Sequence, residues 1–315
     1  MFQPDILLPP QGFLGLTQKD SVSFDDARAV IIPFGLEASV SYGSGTAAGP
    51  QAIIEASPQL EFFDESLWCE PFRYIGLSTL KEPVIDANIV SALAQLEMLV
   101  TGVLDLGKFP LVLGGEHSIT AGAIRPFAKA FPDLMILHFD AHADLRDGYG
   151  GEPFSHAAAL RRTLDVSEHL QLISCGIRNI SAEEIPYLEA NQHRITIHWA
   201  KDKKRWNIDE IVAPLQGKPV YLTFDVDGFD ASLMPATGTP EPGGLFWDDA
   251  IAIIEAAARI ADIVGADVNE LAPMPGLHTC DFVAAKLVYK ILSLAFLGKG
   301  DRTSFQVGIG PGSVF

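Results

Sequence analysis

Three short stretches carry side chains whose types and spacing suit chemistry. In "HFDAHADLRD" (138–147), Asp140, His142 and Asp144 recur at every second position, directly after the apolar run "LMIL" (134–137). A straight strand advances roughly 3.3 Å per residue, which would hold Asp140 and Asp144 roughly 13 Å apart. The chain must therefore curl after Asp140 if all three are to share one small volume, and the following "LRDGYGG" suits a turn. The competing reading is an exposed loop whose Asp caps the next helix. In "TFDVDGFD" (223–230), Asp225 and Asp227 point the same way by strand alternation. Two such carboxylates repel, and burying both without a cation is costly. A turn before Gly228 is the plainer alternative, and Asp230 reads as a turn or supporting group. In "LVLGGEHSIT" (111–120), Gly114 and Gly115 allow a tight turn and Ser118 suits a helix N-cap. His117 then faces the same crevice, with Glu116 as an outer partner or a buried acid with its own hydrogen bonds.

Together His117, Asp140, His142, Asp144, Asp225 and Asp227 offer four carboxylates and two imidazoles from the ends of three apolar runs. Such donors favour a borderline-to-hard divalent ion over the thiolate-rich sites of structural zinc. Six donors with carboxylates able to bridge fit two ions roughly 3.5–4 Å apart, which can share and deprotonate a water. Mn²⁺ is the expected metal, because neither a Cys nor a three-His set is present.

The elements that must position these groups follow from periodicity. Strand candidates are 29–35, 72–77, 110–116, 133–140, 170–176, 194–200, 219–227 and 262–271. Helical patterns fall at 50–57, 87–107, 118–131, 155–164, 247–260 and 281–297. Alternation of helices with continuously apolar strands predicts a parallel sheet covered on both faces. In such a sheet, ligands sit beyond the carboxyl ends of the strands. Four runs end suggestively there, in "GGEHS", "DAHAD", "DVDGFD" and "DVNELAP". The Gly/Pro-rich stretches 41–50 and 234–244 read as loops at the sheet ends, and no repeat or linker divides the chain. One domain is expected over 1–315, with 1–25 as an N-terminal extension.

Composition narrows the partners. The 315 residues are 48% hydrophobic and carry a net charge of −18, from 22 basic and 40 acidic side chains. This balance argues against nucleic acid and anionic membranes and suits a cationic ligand or bound metal. Cys69, Cys175 and Cys280 lie far apart with no CxxC, so a reducing compartment is expected. The start "MFQPDILLPP" has no signal-peptide pattern. The apolar stretch 250–266 is broken by Glu255, Arg259 and Asp262 and is too short to span a bilayer. A cytoplasmic protein follows. No GxxxxGK[ST] or GxGxxG opens a helix after a strand, which argues against a nucleotide-binding enzyme.

"GGEHS", "FDAHADLRD" and "FDVDGFDASLMPATGTPEPGG" resemble the three signature segments of the ureohydrolase family, the arginases, agmatinases and guanidino-acid hydrolases. With the strand–helix order, the resemblance runs from about residue 26 to 312. It implies a three-layer α/β/α sandwich around a mainly parallel eight-stranded sheet, with the six residues above holding two Mn²⁺ ions. It further implies attack of metal-activated water on a guanidinium carbon, giving urea and an amine. Asp144 would be both ligand and hydrogen-bond partner of that water, and His156 in "EPFSHAAALRR" would shuttle the proton to the leaving amine. Glu270 in "DVNELAP" would clamp the planar guanidinium, a task that suits a carboxylate. Asp267 reads as a supporting group, and His138, expected on the opposite side of its strand from Asp140, and His198 each read as core or a supporting group. Arg146 and Asp147 lie near the expected mouth and either face the substrate tail or close the turn.

The loop after "DAHAD" lacks the Asn/Ser pattern with which arginases hold an α-amino acid, and "GTPEPGG" with Glu241 looks more like agmatinases. His278 stands where many agmatinases carry an acidic residue. Agmatine, cleaved to putrescine and urea in polyamine biosynthesis, is the leading substrate. 4-Guanidinobutyrate, 3-guanidinopropionate, arginine and formimidoylglutamate are the alternatives. From other classes, a mononuclear zinc deacetylase of related fold would hold one ion, and a non-catalytic scaffold would have lost ligands. The family resemblance also implies a homo-oligomer, a trimer or hexamer.

Overall fold

Successive residues of each apolar run face opposite ways, and this sets the layers. In β1 (Ala29–Phe34), Ala29 and Ile31 enter one core, while Val30, Ile32 and Phe34 enter another. The computed structural model describes residues 2–296. Seven further strands follow: β2 (Leu77–Thr79), β3 (Phe109–Gly114), β4 (Met135–Phe139), β5 (Gln171–Ile177), β6 (Ile195–Trp199), β7 (Pro219–Asp225) and β8 (Asp262–Asn269). They form one sheet in the order β2-β1-β3-β8-β7-β4-β5-β6, and every pairing is parallel.

Helices cover both faces. On one side lie α1 (Gly49–Ala56), α2 (Phe72–Ile75), α7 (Ile208–Val212), α8 (Trp247–Ile260) and α9 (His278–Ala295). On the other lie α3 (Ile89–Asp105), α4 (Thr120–Ala130), α5 (Ala159–Leu164) and α6 (Ile185–Ala190). Their starts follow local chemistry. Asn88 caps α3 by accepting the Ser91 amide at 3.0 Å, and the Asp249 carboxylate accepts the Phe246 amide at 2.9 Å ahead of α8. The sandwich expected from the sequence is the one observed.

One strand candidate needs correction. Residues 72–77 do not form a single strand: 72–75 make a helical turn, which Gly76 ends at φ 64° before β2 begins. Six residues of apolar character fit either element, and Pro71, which cannot donate to a ladder, favours a helix start. The short α6 and α7 escaped the sequence reading because five or six residues cannot display a 3.6-residue period. Residue 297 of the expected last helix, and the part of the expected domain and resemblance beyond 296, lie outside the described residues, as does Met1. No helix among the described residues is long and apolar enough to cross a membrane.

The functional consequence lies at the centre of the sheet. β3, β8, β7 and β4 are consecutive neighbours, with Leu113 beside Val268, Asp225 beside Asn269, and Phe139 beside Phe224. Their carboxyl ends therefore open onto one crevice, and the charged segments that follow them must meet there.

Candidate metal and active site

Close backbone approach brings the segments together. A β-carbon on Gly115 would lie 2.1 Å from the Leu36 carbonyl, and one on Gly228 would lie 2.8 Å from the Asp140 amide. Only glycine permits those contacts. Beyond β4 the chain curls as the spacing required, and Asp144 adopts a left-handed conformation at φ 52°. Glu270, directly after β8, does the same at φ 68°. Non-glycine residues seldom occupy this region, and such strain concentrates at functional sites.

The six candidate ligands converge. His117 Nδ1 lies 3.1 Å from Asp140 Oδ2, 3.1 Å from Asp144 Oδ2 and 3.4 Å from Asp225 Oδ2. His142 Nδ1 lies 3.0 Å from Asp227 Oδ2 and 3.5 Å from Asp140 Oδ1. The backbone holds the carboxylates in turn: the His142 amide donates to Asp140 at 2.6 Å, Ala141 to Asp227 at 3.0 Å, and Asp227 to Asp225 at 2.8 Å. Thr239 Oγ1 donates to Asp227 Oδ2 at 3.2 Å.

A chain of hydroxyls fixes the His117 ring. Thr120 spends its proton on the Asp267 carboxylate at 3.0 Å, which also accepts from Tyr221 at 2.7 Å. Thr223, 3.3 Å from Thr120, must then donate to Thr120, so His117 Nε2 must be the donor to Thr223 at 2.9 Å. Nδ1 is left facing three carboxylate oxygens, and it makes no hydrogen bond of adequate geometry with any of them. Its surroundings demand positive charge there. A proton bonds well to none of the three oxygens, whereas a divalent cation can coordinate all of them and the nitrogen together.

The electrostatics express the same demand. Burial first, then the Asp227, Asp140 and Glu270 carboxylates, push the Asp225 carboxyl well above its ordinary value. Burial and Asp140 raise Asp144 to about 7. Burial opposes ionisation of Asp140, but the imidazoles of His117, His138 and His142 outweigh it and hold that carboxyl well below the usual range. Burial also opposes protonation of His142, and Asp227 with Asp140 reverses this, lifting the imidazole to about 12. Glu270 is pushed well up by burial, against the effect of the His117 amide that donates to its Oε1 at 2.7 Å.

His138 requires a correction. Residues two apart share a strand face, so it lies on the same side as Asp140, with Nε2 2.9 Å from Asp140 Oδ2. It belongs to one group of side chains close enough to hold an ion, with His117 and Asp140, while Asp140, His142 and Asp227 make another. Its Nδ1 is already matched to Ser174 Oγ at 2.9 Å, so both ring nitrogens have protein partners and His138 orients Asp140.

Around the ligands opens a cavity of about 280 Å³, lined further out by Ser41, Arg146, Tyr149, Glu184, Thr239 and Glu241. His156 and Glu270 also line it. Burial holds the His156 imidazole below its ordinary value, in spite of the Glu116 carboxylate. Arg146 reaches the wall, stacks 5.1 Å over the Tyr149 ring and pairs with Glu183 at 3.0 Å. Asp147 does not line the cavity: its carboxylate is turned to Arg161 and Arg162, and its side chain is 73% exposed. His278 faces a separate groove between α1 and the start of α9.

The sequence reading missed several groups. Thr223 was legible in principle, two residues before Asp225 and so on the same face. Arg178 carried no signal, yet its guanidinium donates to the carbonyls of Asp227, Gly228, Phe229, Glu241 and Pro242. It ties the Asp225–Asp227 loop to the loop bearing Glu241. Ser39 was equally silent, because it reaches His156 only through space.

Comparison with known proteins agrees with this geometry. A sequence model of the arginase family matches residues 27–293. The chain is 37% identical over 291 residues to the N(1)-aminopropylagmatine ureohydrolase of Synechocystis sp., covering 89% of this chain and 92% of that one. It is 35% identical over 261 residues to the agmatinase of Bacillus anthracis, covering 81% and 87%. Among solved structures, the agmatine ureohydrolase of Thermoplasma volcanium superposes with a TM-score of 0.79 at 29% identity, covering 88% of this chain and 93% of that one.

Proposed function

The chain belongs to the arginase family, and from that premise we propose that it hydrolyses agmatine to putrescine and urea, a polyamine-forming step. It is a hydrolase acting on a guanidino carbon–nitrogen bond. One observation carries the choice of substrate. Arg146, the cation on the cavity wall outside the ligand cluster, gives one Nη1 hydrogen bond to Glu183, which offsets part of its pull on a substrate carboxylate. Glu241, on the same wall, makes no side-chain hydrogen bond or ion pair among the described residues. A substrate with a guanidinium at one end, an ammonium at the other and no carboxylate matches Glu241 better than a guanidino acid or arginine does.

His117, Asp140, His142, Asp144, Asp225 and Asp227 would hold two Mn²⁺ ions, supported by the three carboxylates gathered around an unmatched Nδ1. When bound, such a pair supplies Lewis acidity and lowers the pKa of water toward neutrality. The chain does the rest. Glu270 receives the guanidinium and holds its plane, Asp144 accepts a hydrogen bond from the attacking water, and His156 carries a proton to the leaving amine. Arg146 shapes the tail end of the cavity through Tyr149, while Asp147 braces the loop from outside.

A second reading is N(1)-aminopropylagmatine, which adds a second amine to the tail. It is favoured by the name of the 37% identical relative; Glu184, a second acid lining the cavity, already accepts the Leu145 and Ser181 amides. A urea-release screen of the Mn²⁺-loaded protein decides between them, with arginine, 4-guanidinobutyrate, 3-guanidinopropionate and formimidoylglutamate included. Release from agmatine above all others is expected, and no urea from any guanidino compound would sink the proposal. Elemental analysis is expected to give about two Mn per chain, where a single zinc ion would point to the deacetylase reading. Asp140→Asn is expected to lose both metal and urea release, with activity down by at least about 10³-fold. The three well-separated, buried cysteines support a reducing, cytoplasmic setting. Sedimentation of the loaded protein tests the trimer or hexamer.

A further inference from the structure

Ser39 and Glu116 lie beside the site without belonging to the ligand set. The Glu116 side chain is 0% exposed, and each of its oxygens receives two donors. Oε2 accepts the amides of Ala38 at 2.7 Å and Ser39 at 2.6 Å, and Oε1 accepts the hydroxyls of Ser39 at 2.8 Å and Ser118 at 2.6 Å. All four partners donate, so the carboxylate only accepts.

This decides what Ser39 can do elsewhere. A hydroxyl has one proton and two lone pairs. Ser39 gives its proton to Glu116, so toward His156 its oxygen can only accept. It accepts the His156 amide at 2.9 Å, and it lies 3.3 Å from His156 Nδ1. Nδ1 must then carry the ring proton. Nε2 makes no hydrogen bond among the described residues, and the side chain lines the cavity.

We propose that Ser39 and Glu116 are positioning residues that hold neutral His156 as its Nδ1–H tautomer, so that Nε2 alone takes and returns the proton of the reaction. This rests on the shuttle role proposed for His156. Nε2 takes one proton of the attacking water and delivers it to the nitrogen whose bond to carbon breaks. The electron pair of that bond stays on the nitrogen, and the ring ends as it began, with Nδ1–H retained.

The test is a double-mutant cycle on the Mn²⁺-loaded protein, with metal content checked for each variant. Ser39→Ala is expected to lower kcat about tenfold with KM within about twofold, and Ser39→Thr, which keeps the hydroxyl, to restore most of the loss. In a His156→Ala background, Ser39→Ala is expected to change kcat by less than about twofold. An equal loss in both backgrounds overturns the proposal, because Ser39 would then act by shaping the loop. Neutron diffraction from deuterium-exchanged crystals of the unmutated, loaded protein reads the tautomer without any variant. Deuterium on Nε2 and not on Nδ1 overturns it too. If His156→Ala alone leaves kcat unchanged, the shuttle role fails and takes the catalytic half of the proposal with it, while the neutron map still decides the tautomer.

Discussion

Replacing Thr223 by Val removes the hydroxyl that receives the His117 Nε2 proton, while keeping the branched shape of a buried side chain. The relay from Asp267 through Thr120 then stops short of the ring, which is free to turn or to change tautomer. Partners behind a metal-binding imidazole commonly contribute 10–100-fold in affinity, so Thr223→Val is expected to weaken Mn²⁺ binding by about 10-fold or more. Titration of the metal-free protein followed by calorimetry measures it, and unchanged affinity would show that the relay does not govern His117. The outcome at this scale was only partly foreseeable. Asp140, His142, Asp144, Asp225 and Asp227 announce themselves by alternation at the ends of apolar runs. Thr223 shares that alternation but is chemically unremarked among strand residues, and Ser39 acts across 117 positions of sequence.

At the level of elements, the loops behind β7 depend on two pins. Arg178 gathers their carbonyls, and Asp230 gathers their amides, accepting from Gly243 at 2.6 Å, Gly244 at 3.0 Å and Ser232 at 3.0 Å. The Ser232 hydroxyl, with these amides, holds the Asp230 carboxyl down at about 2, against an ordinary 3.8. A carboxyl lowered in the folded state stabilises above its unfolded value and loses that contribution as pH falls through the folded one. Asp230→Asn is therefore expected to cost about 1 kcal/mol above pH 5, after allowance for solvent screening at a partly exposed site. The gap from the parent protein should close between about pH 4 and pH 2. Urea denaturation at a series of pH values checks this, and a gap independent of pH would assign the effect to shape. Six of the eight strands left a clear trace because they are runs of mostly buried apolar residues, whereas β6 buries only Ile195 and β2 shares only Leu77 with its candidate run. The run at 72–77 misled because Phe72, Tyr74, Ile75 and Leu77 read as one apolar stretch, although the left-handed Gly76 divides a helical turn from a strand that goes on through Ser78 and Thr79. Left-handed Asp144 and Glu270 could not be foreseen, since nothing in residue type marks a carboxylate that its neighbours hold in a strained conformation.

Across the whole molecule, the acidic crevice sets a conflict between folding and function. Burial of Asp144, Asp225 and Glu270 among neighbouring carboxylates works against the fold whenever no cation is present. Chelation is expected to lower Tm by about 5–10 °C, and Mn²⁺ to restore it in a concentration-dependent way. Differential scanning calorimetry with and without chelator measures the shift. The sheet order adds a consequence for how the chain is made. β8, the last strand in sequence, is inserted between β3 and β7, at the centre of the sheet. Until residue 269 has left the ribosome, the strands already synthesised can form only two separate half-sheets, each with a bare inner edge. His117 belongs to one half, and Asp140, His142, Asp144, Asp225 and Asp227 belong to the other. The strand made last among these eight is the keystone, so no nascent chain can close the proposed metal site before β8 has emerged.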